Sequence, residues 1–429
     1  MSGPVEDDAR FMAAAIRLCR RNLGRTATNP SVACLIVKDG VVVGSAVTAP
    51  GGRPHAETQA LAVAGDAARG ATAYVTLEPC SHHGKTPPCA DALIAAGVSR
   101  VVVSVTDPDE RVAGRGLGML RDAGIAVETG VLEAQGRAAL AAYLTRQTKK
   151  RPYVTLKLAV SADGMLGRLG AGQVAITGPV PRGQVHVLRA ETDAILVGIG
   201  TALADDPELT CRLPGLEARS PVRIVLDPRL ELPPASKLAR TAKNVPVIVV
   251  TSKGVGLPPS GMPAISPSRG EIGWEPDPRA PSSASPAGPT FDVDGNAASS
   301  ISPLEGEMAG RPEGGMDGTA SDMRSARAQA LEAAGVEILT CDPRRLDDLL
   351  MALATRGISS LLVEGGARTA QSFLDAGLVD RISLFEGAGT IGKDGVASPC
   401  VCGRVPDGYS LRRTAHYGAD RLYEYERDD

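Results

Sequence analysis

His55-Ala56-Glu57 and the run Glu78-Pro79-Cys80-Ser81-His82-His83-Gly84-Lys85-Thr86-Pro87-Pro88-Cys89 decide how this chain is read. One histidine, two cysteines and a glutamate two residues after the histidine are the parts of a zinc site for hydrolytic deamination. The thiolates of Cys80 and Cys89 would neutralise a zinc dication, and a neutral His55 imidazole would be the third ligand. The fourth tetrahedral position is then left for water, as in catalytic rather than structural sites. Zinc brings the pKa of such a water down to about 7. Glu57 is close enough in sequence to move a proton from that water to the ring and the departing amine, a service worth roughly 10²–10⁴ in rate. Pro79, Pro87 and Pro88 fix the backbone entering each cysteine. Cys89 is predicted to open a helix, whose N-terminus favours a thiolate. Cysteine often serves as a small core hydrophobe and a lone histidine is often structural. That plain alternative does not account for three ligands and a glutamate in this order.

At 429 residues the chain is expected to hold two or three domains, with 43% hydrophobic residues to fill their cores. A formal net charge of −3 gives no reason to expect a nucleic-acid partner. No run reaches the roughly 18 apolar residues that a membrane helix needs. Acids rather than bases occupy the N-terminal stretch, so a cytoplasmic location is expected. The eight cysteines show no disulfide framework. Cys400-Val401-Cys402 has no nearby histidine or further cysteine and reads as two free thiols.

Outward from the motif, Phe11, Met12, Ala15, Ile16 and Cys19 mark one face of an amphipathic helix. Strands are predicted over 31–37 and 41–43 around the Asp39-Gly40 turn. A helix is predicted from His55 to about Ala64, and a strand over 72–76 delivers Glu78 and Cys80. After the Cys89 helix come strands over 101–105 and 125–129 with a helix between them, then a helical run from about Glu133 to Lys149. Strands alternating with helices predict an α/β sandwich over a largely parallel sheet. The basic cluster Lys149-Lys150-Arg151 before Pro152 reads as a solvated linker, which sets a first domain at 1–147 and a second at 151–429.

N-P-x-V at 29–32, H-A-E, Y-V-T-L-E-P-C-S-H-x-G-K-T-P-P-C at 74–89 and V-A-G-R-G at 112–116 together resemble the deaminase domain of the bifunctional riboflavin-biosynthesis deaminase–reductases. The resemblance is dense over roughly the first 145 residues. Cytidine and tRNA deaminases usually place the cysteines as P-C-x-x-C, whereas here S-H-H-G-K-T-P-P separates them, as in the riboflavin family. The resemblance implies a three-layer α/β/α, cytidine-deaminase-like domain with one zinc ion on His55, Cys80 and Cys89 and with Glu57 catalytic. It also implies that Asn29, His82, Lys85 and Thr86 contact a phosphorylated pyrimidine. A lysine ammonium independently suits a substrate phosphate. The family commonly has Asn where this chain has Asp109, an acceptor-only carboxylate in place of an amide.

The second half opens with a predicted buried strand over 154–159, followed by a helix over 182–189 and strands over 194–197, 222–226 and 245–251. Further strands are predicted near 338–340, 361–363, 381–385 and 422–425. Glycines after the 361–363 strand open a helix, the arrangement of a phosphate cradle. No G-x-G-x-x-G with its distal acid is present, so a conventional dinucleotide fold is not supported. K-L-A-x-S-x-D-G (157–164), L-R-A-x-x-D-A-I-L-V-G-I-G-T (188–201), D-D-P-x-L-T-C-R (205–212) and V-E-G-G (363–366) resemble the reductase domain of the same family. That resemblance implies a dihydrofolate-reductase-like α/β fold using NADPH. Gln173, Arg189, Leu209, Arg212 and Glu364 would contact the ribose-phosphate substrate. Ala159, Ala175, Thr201, Asp205 and the turn Gly366, Ala367, Arg368, Thr369, Ala370, Gln371 and Ser372 would contact NADPH. Arginines suit a phosphate because they bind it bidentately. Two positions depart from the family: Gln173-Val174-Ala175 stands where relatives have Ser-x-Trp, and Pro228 stands where a Ser or Thr is common.

Between these motifs, residues 255–320 hold 11 Pro, 11 Gly and 9 Ser against eight Val, Leu, Ile or Phe, so too little apolar surface exists to offset ordering the chain. A near-repeat, I-S-P-S-R-G-E-I at 265–272 and I-S-P-L-E-G-E-M at 301–308, marks it as an inserted segment expected to be disordered. Consecutive steps of riboflavin synthesis, deamination then NADPH-dependent reduction, are therefore expected of a protein acting as a homo-oligomer on small molecules. Two rivals stand against this reading. A nucleic-acid or nucleoside base deaminase would call for a basic, aromatic-bearing groove, and the chain has four Phe, seven Tyr and one Trp. Alternatively, the second half would be a non-catalytic binding or dimerisation module.

Overall fold

The computed structural model describes residues 4–81, 87–109, 113–252 and 317–428. His82, Lys85 and Thr86, together with the inserted segment up to residue 316, lie outside the described residues.

The first half runs α1 (Pro4–Cys19), β1 (Ala33–Lys38), β2 (Val41–Val47), α2 (Ala56–Ala64), β3 (Thr72–Leu77), α3 (Cys89–Ala96), β4 (Arg100–Val105), α4 (Arg115–Asp122), β5 (Ala126–Thr129), α5 (Glu133–Ala139) and α6 (Ala141–Lys149). Its sheet has the order β2-β1-β3-β4-β5. The expected largely parallel sheet is only half so: β1 is antiparallel to both β2 and β3, while β3, β4 and β5 run parallel. Strand periodicity sends alternate residues to opposite faces. Ala33, Leu35, Val37, Tyr74 and Val102 meet Phe11, Met12, Ala15 and Cys19 of α1. Cys34, Ile36, Val75, Val101 and Val103 meet Ala56, Ala60, Leu93, Leu117 and Leu120 on the other side. Three layers result. Small residues let α2 lie close to the sheet, and a Cβ at Gly44 of β2 would overlap the Ala60 carbonyl.

The helical run predicted over 133–149 is two helices, broken at Leu140 (φ −101°, ψ 8°). The basic cluster that follows is not simply solvated. Arg151 makes a bidentate pair with Asp380 (2.6 and 2.7 Å), and Asp380 also accepts the Val154 N–H at 2.8 Å. Arg151 thereby fixes the start of the next strand to a residue far along the chain.

The second half runs β6 (Tyr153–Val160), β7 (Met165–Arg168), α7 (Pro179–Ala190), β8 (Ala194–Gly198), α8 (Ile199–Asp205), β9 (Val222–Leu226), α9 (Lys237–Arg240), β10 (Val247–Thr251), α10 (Asp317–Ala333), β11 (Val336–Thr340), α11 (Leu346–Thr355), β12 (Ser360–Val363), α12 (Ala367–Asp375), β13 (Arg381–Glu386), β14 (Gly395–Ala397), β15 (Tyr409–Tyr417) and β16 (Asp420–Arg427). The nine-stranded sheet has the order β11-β10-β9-β8-β12-β6-β13-β16-β15, and β7 pairs with β14 apart from it. Strands from β11 to β13 in that order are parallel, and β16 and β15 close the edge antiparallel. Central β6 shows how the site face arises. Val154, Leu156, Leu158 and Val160 are buried against α11 and α12, through Leu349, Leu350, Leu353 and Phe373. The intervening Lys157 and Ala159 face the other way and are only partly buried. No helix among the described residues is long and apolar enough to cross a membrane.

Candidate active sites

His55 stands at the N-cap position of α2, and Glu57 lies in that helix's first turn. Cys80 follows β3 through Glu78 and Pro79, and Cys89 is the first residue of α3 after Pro88. Strand end and helix starts converge: His55 Nδ1 lies 3.7 Å from Cys80 Sγ and 3.4 Å from Cys89 Sγ. The three donor atoms all lie within 4.8 Å of one another. The Cys89 backbone N–H donates to Cys80 Sγ at 3.3 Å, so the start of α3 supports negative charge on that sulfur. A hydrogen bond from Cys89, with help from His55, brings the Cys80 thiol down to about 4. The same sharing of one proton pushes Cys89 up, and burial adds to it. His55 Nε2, buried on the far side of the ring, has no hydrogen-bond partner among the described residues. Nδ1 is therefore the nitrogen turned toward the sulfurs. One thiolate, a second thiol and an imidazole crowded this closely fit a zinc ion in ligand type and number.

Glu57 is 3% exposed. Burial pushes its carboxyl up to about 7, the His55 charge opposing and the Cys80 charge assisting. It lines a cavity of about 280 Å³ with Asn29, Arg53, His55, Cys80, Asp107 and Asp109. Glu78 Oε2 accepts the N–H groups of Asp107 (3.3 Å) and Gly114 (3.1 Å) and so ties down the loop bearing Asp109. Asp107 in turn accepts the Tyr143 hydroxyl at 3.0 Å and the Asp109 N–H at 2.9 Å. Across the ligand loop, α4 packs so tightly that a Cβ at Gly116 would overlap the Pro79 carbonyl oxygen.

A second polar cluster lies on the face of β6 opposite α11 and α12. Arg189 near the end of α7 makes a two-pronged pair with Glu364, which follows β12, at 2.8 and 3.0 Å. Lys157 Nζ lies 3.9 Å from the same carboxylate. Arg189 also donates to the Thr210 carbonyl (3.1 Å), and the Arg212 N–H reaches His186 Nδ1 (3.3 Å). Leu209 between them is buried at φ 55°. These contacts join Arg189, Glu364 and the Thr210–Arg212 backbone into one patch, while Leu209 packs in the core with Ile195 and Val197.

Around the start of α12, Thr201 Oγ1 accepts the Gly366 N–H at 3.1 Å. Thr369 fits against Gly198 and Gly365, where a Cβ would come within 2.5 Å of it. Gly366, Arg368, Gln371 and Ser372 are exposed, and Ala367 and Thr369 are partly so. Ala370 is fully buried against the core, so only its backbone can face a ligand. Ala159 packs beside Val185, Phe385 and Leu422. Asp205 closes α8, where burial raises its carboxyl. Gln173 and Ala175 are exposed on the irregular stretch between β7 and α7, and Pro228 is exposed after β9.

Residues 5–105 match the cytidine and deoxycytidylate deaminase zinc-binding region, and residues 152–255 with 319–415 match the RibD C-terminal domain. The riboflavin biosynthesis protein RibD of Aquifex aeolicus is 36% identical over 380 residues, covering 89% of this chain and 86% of its own length. The chain belongs to the RibD family. RibD of Escherichia coli is 46% identical over 244 residues, which cover 54% of this chain and 66% of that protein. Among solved structures, Acinetobacter baumannii RibD superposes with a TM-score of 0.74 at 29% identity, covering 99% of this chain and all of that one. A Thermotoga maritima diaminohydroxyphosphoribosylaminopyrimidine deaminase/5-amino-6-(5-phosphoribosylamino)uracil reductase superposes with a TM-score of 0.73 at 30% identity, with the same coverage. RibD proteins thus span both sheets of this fold.

Sequence reading missed Tyr143, Arg146 and Gln147, which α6 contributes to the cavity wall. Their i, i+3, i+4 spacing marks one helix face, yet no motif signals that this face meets a site. Lys157 opens the K-L-A-x-S-x-D-G motif but carries no role in the sequence reading, and its approach to Glu364 depends on pairing between β6 and β12.

Proposed function

We propose that the chain carries out two consecutive steps of riboflavin synthesis. The first hydrolyses the 2-amino group of 2,5-diamino-6-ribosylamino-4(3H)-pyrimidinone 5′-phosphate. The second reduces the ribosyl group of 5-amino-6-(5-phosphoribosylamino)uracil to ribityl. The observation that carries this reading is a buried Glu57 beside the His55, Cys80 and Cys89 donor set at a cavity wall, on a chain whose second sheet presents the Arg189–Glu364 face.

His55, Cys80 and Cys89 would hold one zinc ion, and the Lys157–Ala159 face of β6 with the start of α12 would take NADPH. Bound there, zinc supplies Lewis acidity that lowers the pKa of a water to about 7, and NADPH supplies a hydride. Glu57 takes one proton on its carboxylate from the attacking water and passes it to the ring nitrogen, then takes the second from the newly added hydroxyl and passes it to the leaving amine. Burial pushes its carboxyl up, toward the protonated form that an acid for the leaving amine must reach. Asn29, Asp109 and the loop residues His82 and Lys85 orient the phosphorylated pyrimidine.

In the second step Arg189, Arg212, Glu364, Leu209 and Gln173 hold the ribose phosphate. Ala159, Ala175, Thr201, Asp205 and residues 366–372 hold the nicotinamide cofactor. The exposed N–H groups at the start of α12 suit a cofactor phosphate. These residues would orient the sugar for the hydride that a bound nicotinamide would supply, with no protein nucleophile required. We assign the first activity to residues 1–147 and the second to 151–429, and infer a cytoplasmic homo-oligomer. One incubation with the diamino substrate tests the whole reading by scoring ammonia release and NADPH consumption with and without a chelator. Chelation is expected to stop ammonia release, while deaminated substrate supplied directly still consumes NADPH. Ammonia release that survives stripping of the metal would overturn the zinc assignment.

A further inference from the structure

The cavity around Glu57 is rich in acid. Among the described residues, Glu57, Glu78, Asp107 and Asp109 line it, against the guanidinium groups of Arg53 and Arg146. A phosphate monoester brings about −1.5 to −2 further charge at neutral pH, so a phosphorylated pyrimidine needs a cation at the end where its phosphate lies. Arg53 is two residues before His55, and its charge acts on that imidazole. It belongs to the metal end.

Arg146 is placed differently. It lies in the last turn of α6, one turn beyond Tyr143, and its Nη2 donates to the Thr28 carbonyl at 2.7 Å. A carbonyl partner fixes the plane of the guanidinium without neutralising it. The charges that act on Arg146 are those of Tyr143 and of Asp193, a residue of the second half whose Oδ2 also receives the Ser359 and Ser360 N–H groups and the Ser360 hydroxyl. Burial still holds Arg146 below the ordinary arginine value, so its charge is under-compensated where it stands. A fixed, partly desolvated guanidinium at a cavity wall has the geometry for two-pronged phosphate binding.

Building on the deaminase reading above, we infer that Arg146 receives the 5′-phosphate of the deaminase substrate at the end of the cavity bounded by Thr28 and Tyr143, and so makes this site selective for the nucleotide over its nucleoside. The test uses the zinc-loaded full chain and compares the phosphorylated diaminopyrimidine with its dephosphorylated riboside. Arg146→Gln is expected to raise KM for the phosphorylated substrate about 10- to 100-fold, the scale of a lost charge-assisted bond pair. Its kcat and its KM for the riboside stay near wild type. Inorganic phosphate is expected to inhibit the wild type competitively and to weaken in the variant by a similar factor. Arg146→Lys recovers part of the loss, and NADPH consumption with deaminated substrate reports that the chain is folded. An unchanged KM for the phosphorylated substrate, or an equal loss on both substrates, overturns the assignment. A wild-type chain that releases no ammonia from the phosphorylated compound overturns the deaminase reading itself, and is recognised before any variant is made.

Discussion

Replacing Glu57 by Gln isolates the proton shuttle from every other contribution to the first site. The two side chains have nearly the same shape, so the first turn of α2 keeps its packing and His55 keeps its N-cap position. What changes is the ability of one oxygen to gain and lose a proton. Glu57 is 3% exposed, which leaves little room for bulk water to act as a substitute base. Both transfers, out of the attacking water and into the ring and amine, run through this single carboxyl. Positioned acid–base catalysis is worth roughly 10²–10⁴, which corresponds to about 2.7–5.4 kcal/mol of barrier, and use of the same group twice places the expected loss toward the upper end. The assay follows ammonia release under saturating substrate, with metal content measured on the same sample and NADPH consumption on deaminated substrate as the fold control. The expected result is a kcat lower by three to four orders of magnitude (~10³–10⁴), with one zinc retained per chain and reduction unchanged. Near-normal ammonia release at full zinc content would refute the shuttle. Loss of zinc together with activity would instead show that Glu57 acts on the ligands.

Gly116→Ala is expected to weaken the same site from behind, because its new methyl group overlaps the Pro79 carbonyl just before Cys80. Overpacking of this kind costs about 1–3 kcal/mol, read as a lower unfolding midpoint together with weaker zinc retention in a chelator titration. Glu364→Gln leaves Arg189 and Lys157 with no carboxylate on a largely buried face. Breaking a buried pair costs about 3–5 kcal/mol, so NADPH consumption should collapse while ammonia release persists. Asp8 supplies the pH dependence. Burial raises its carboxyl, but the Arg100 pair at 2.7 Å and the Tyr74 hydroxyl outweigh it and hold the group below its ordinary value. A depressed folded pKa means stability that is present above the unfolded value of about 3.9 and lost as pH falls through the folded one. Asp8→Asn should therefore lower stability at pH 7 by about 1–3 kcal/mol, and the gap to wild type should close in unfolding curves recorded at progressively lower pH.

Local chemistry was legible and distant pairing was not. His55, Glu57, Cys80 and Cys89 could be grouped from residue type and order alone, and the structure gathers the three donor atoms within 4.8 Å. The strands predicted over 154–159, 194–197 and 361–363 likewise lie in the centre of the second sheet. The strand Tyr409–Tyr417 escaped because it is an edge strand with mostly exposed side chains, including Arg412 and Arg413, and so carries no apolar period. Arg151 was read as solvated because its partner, Asp380, lies 229 residues away. The break at Leu140 had no glycine or proline to mark it. Antiparallel pairing of β1 with β3 was hidden for a related reason: strand order across a helix cannot be read from hydrophobic pattern, which records which faces are buried and not which strands are neighbours.

Two glutamates show how one residue type is turned to opposite ends in this chain. Glu57 and Glu364 are both deeply buried, and for both, burial is the largest influence, pushing the carboxyl up. At Glu57 nothing strong enough opposes it; His55 pulls the value down, Cys80 pushes it back, and the group stays near 7. A carboxyl left in that state exchanges protons readily, which hydrolytic deamination requires. At Glu364 the arginine of α7 and the lysine of β6 both press on the carboxylate, and they carry it below its ordinary value. That group remains an anion throughout the neutral range. It can hold Arg189 in one orientation and accept hydrogen bonds from a sugar, but it has no proton to give. Exchanging the surroundings, rather than the residues, would exchange the roles.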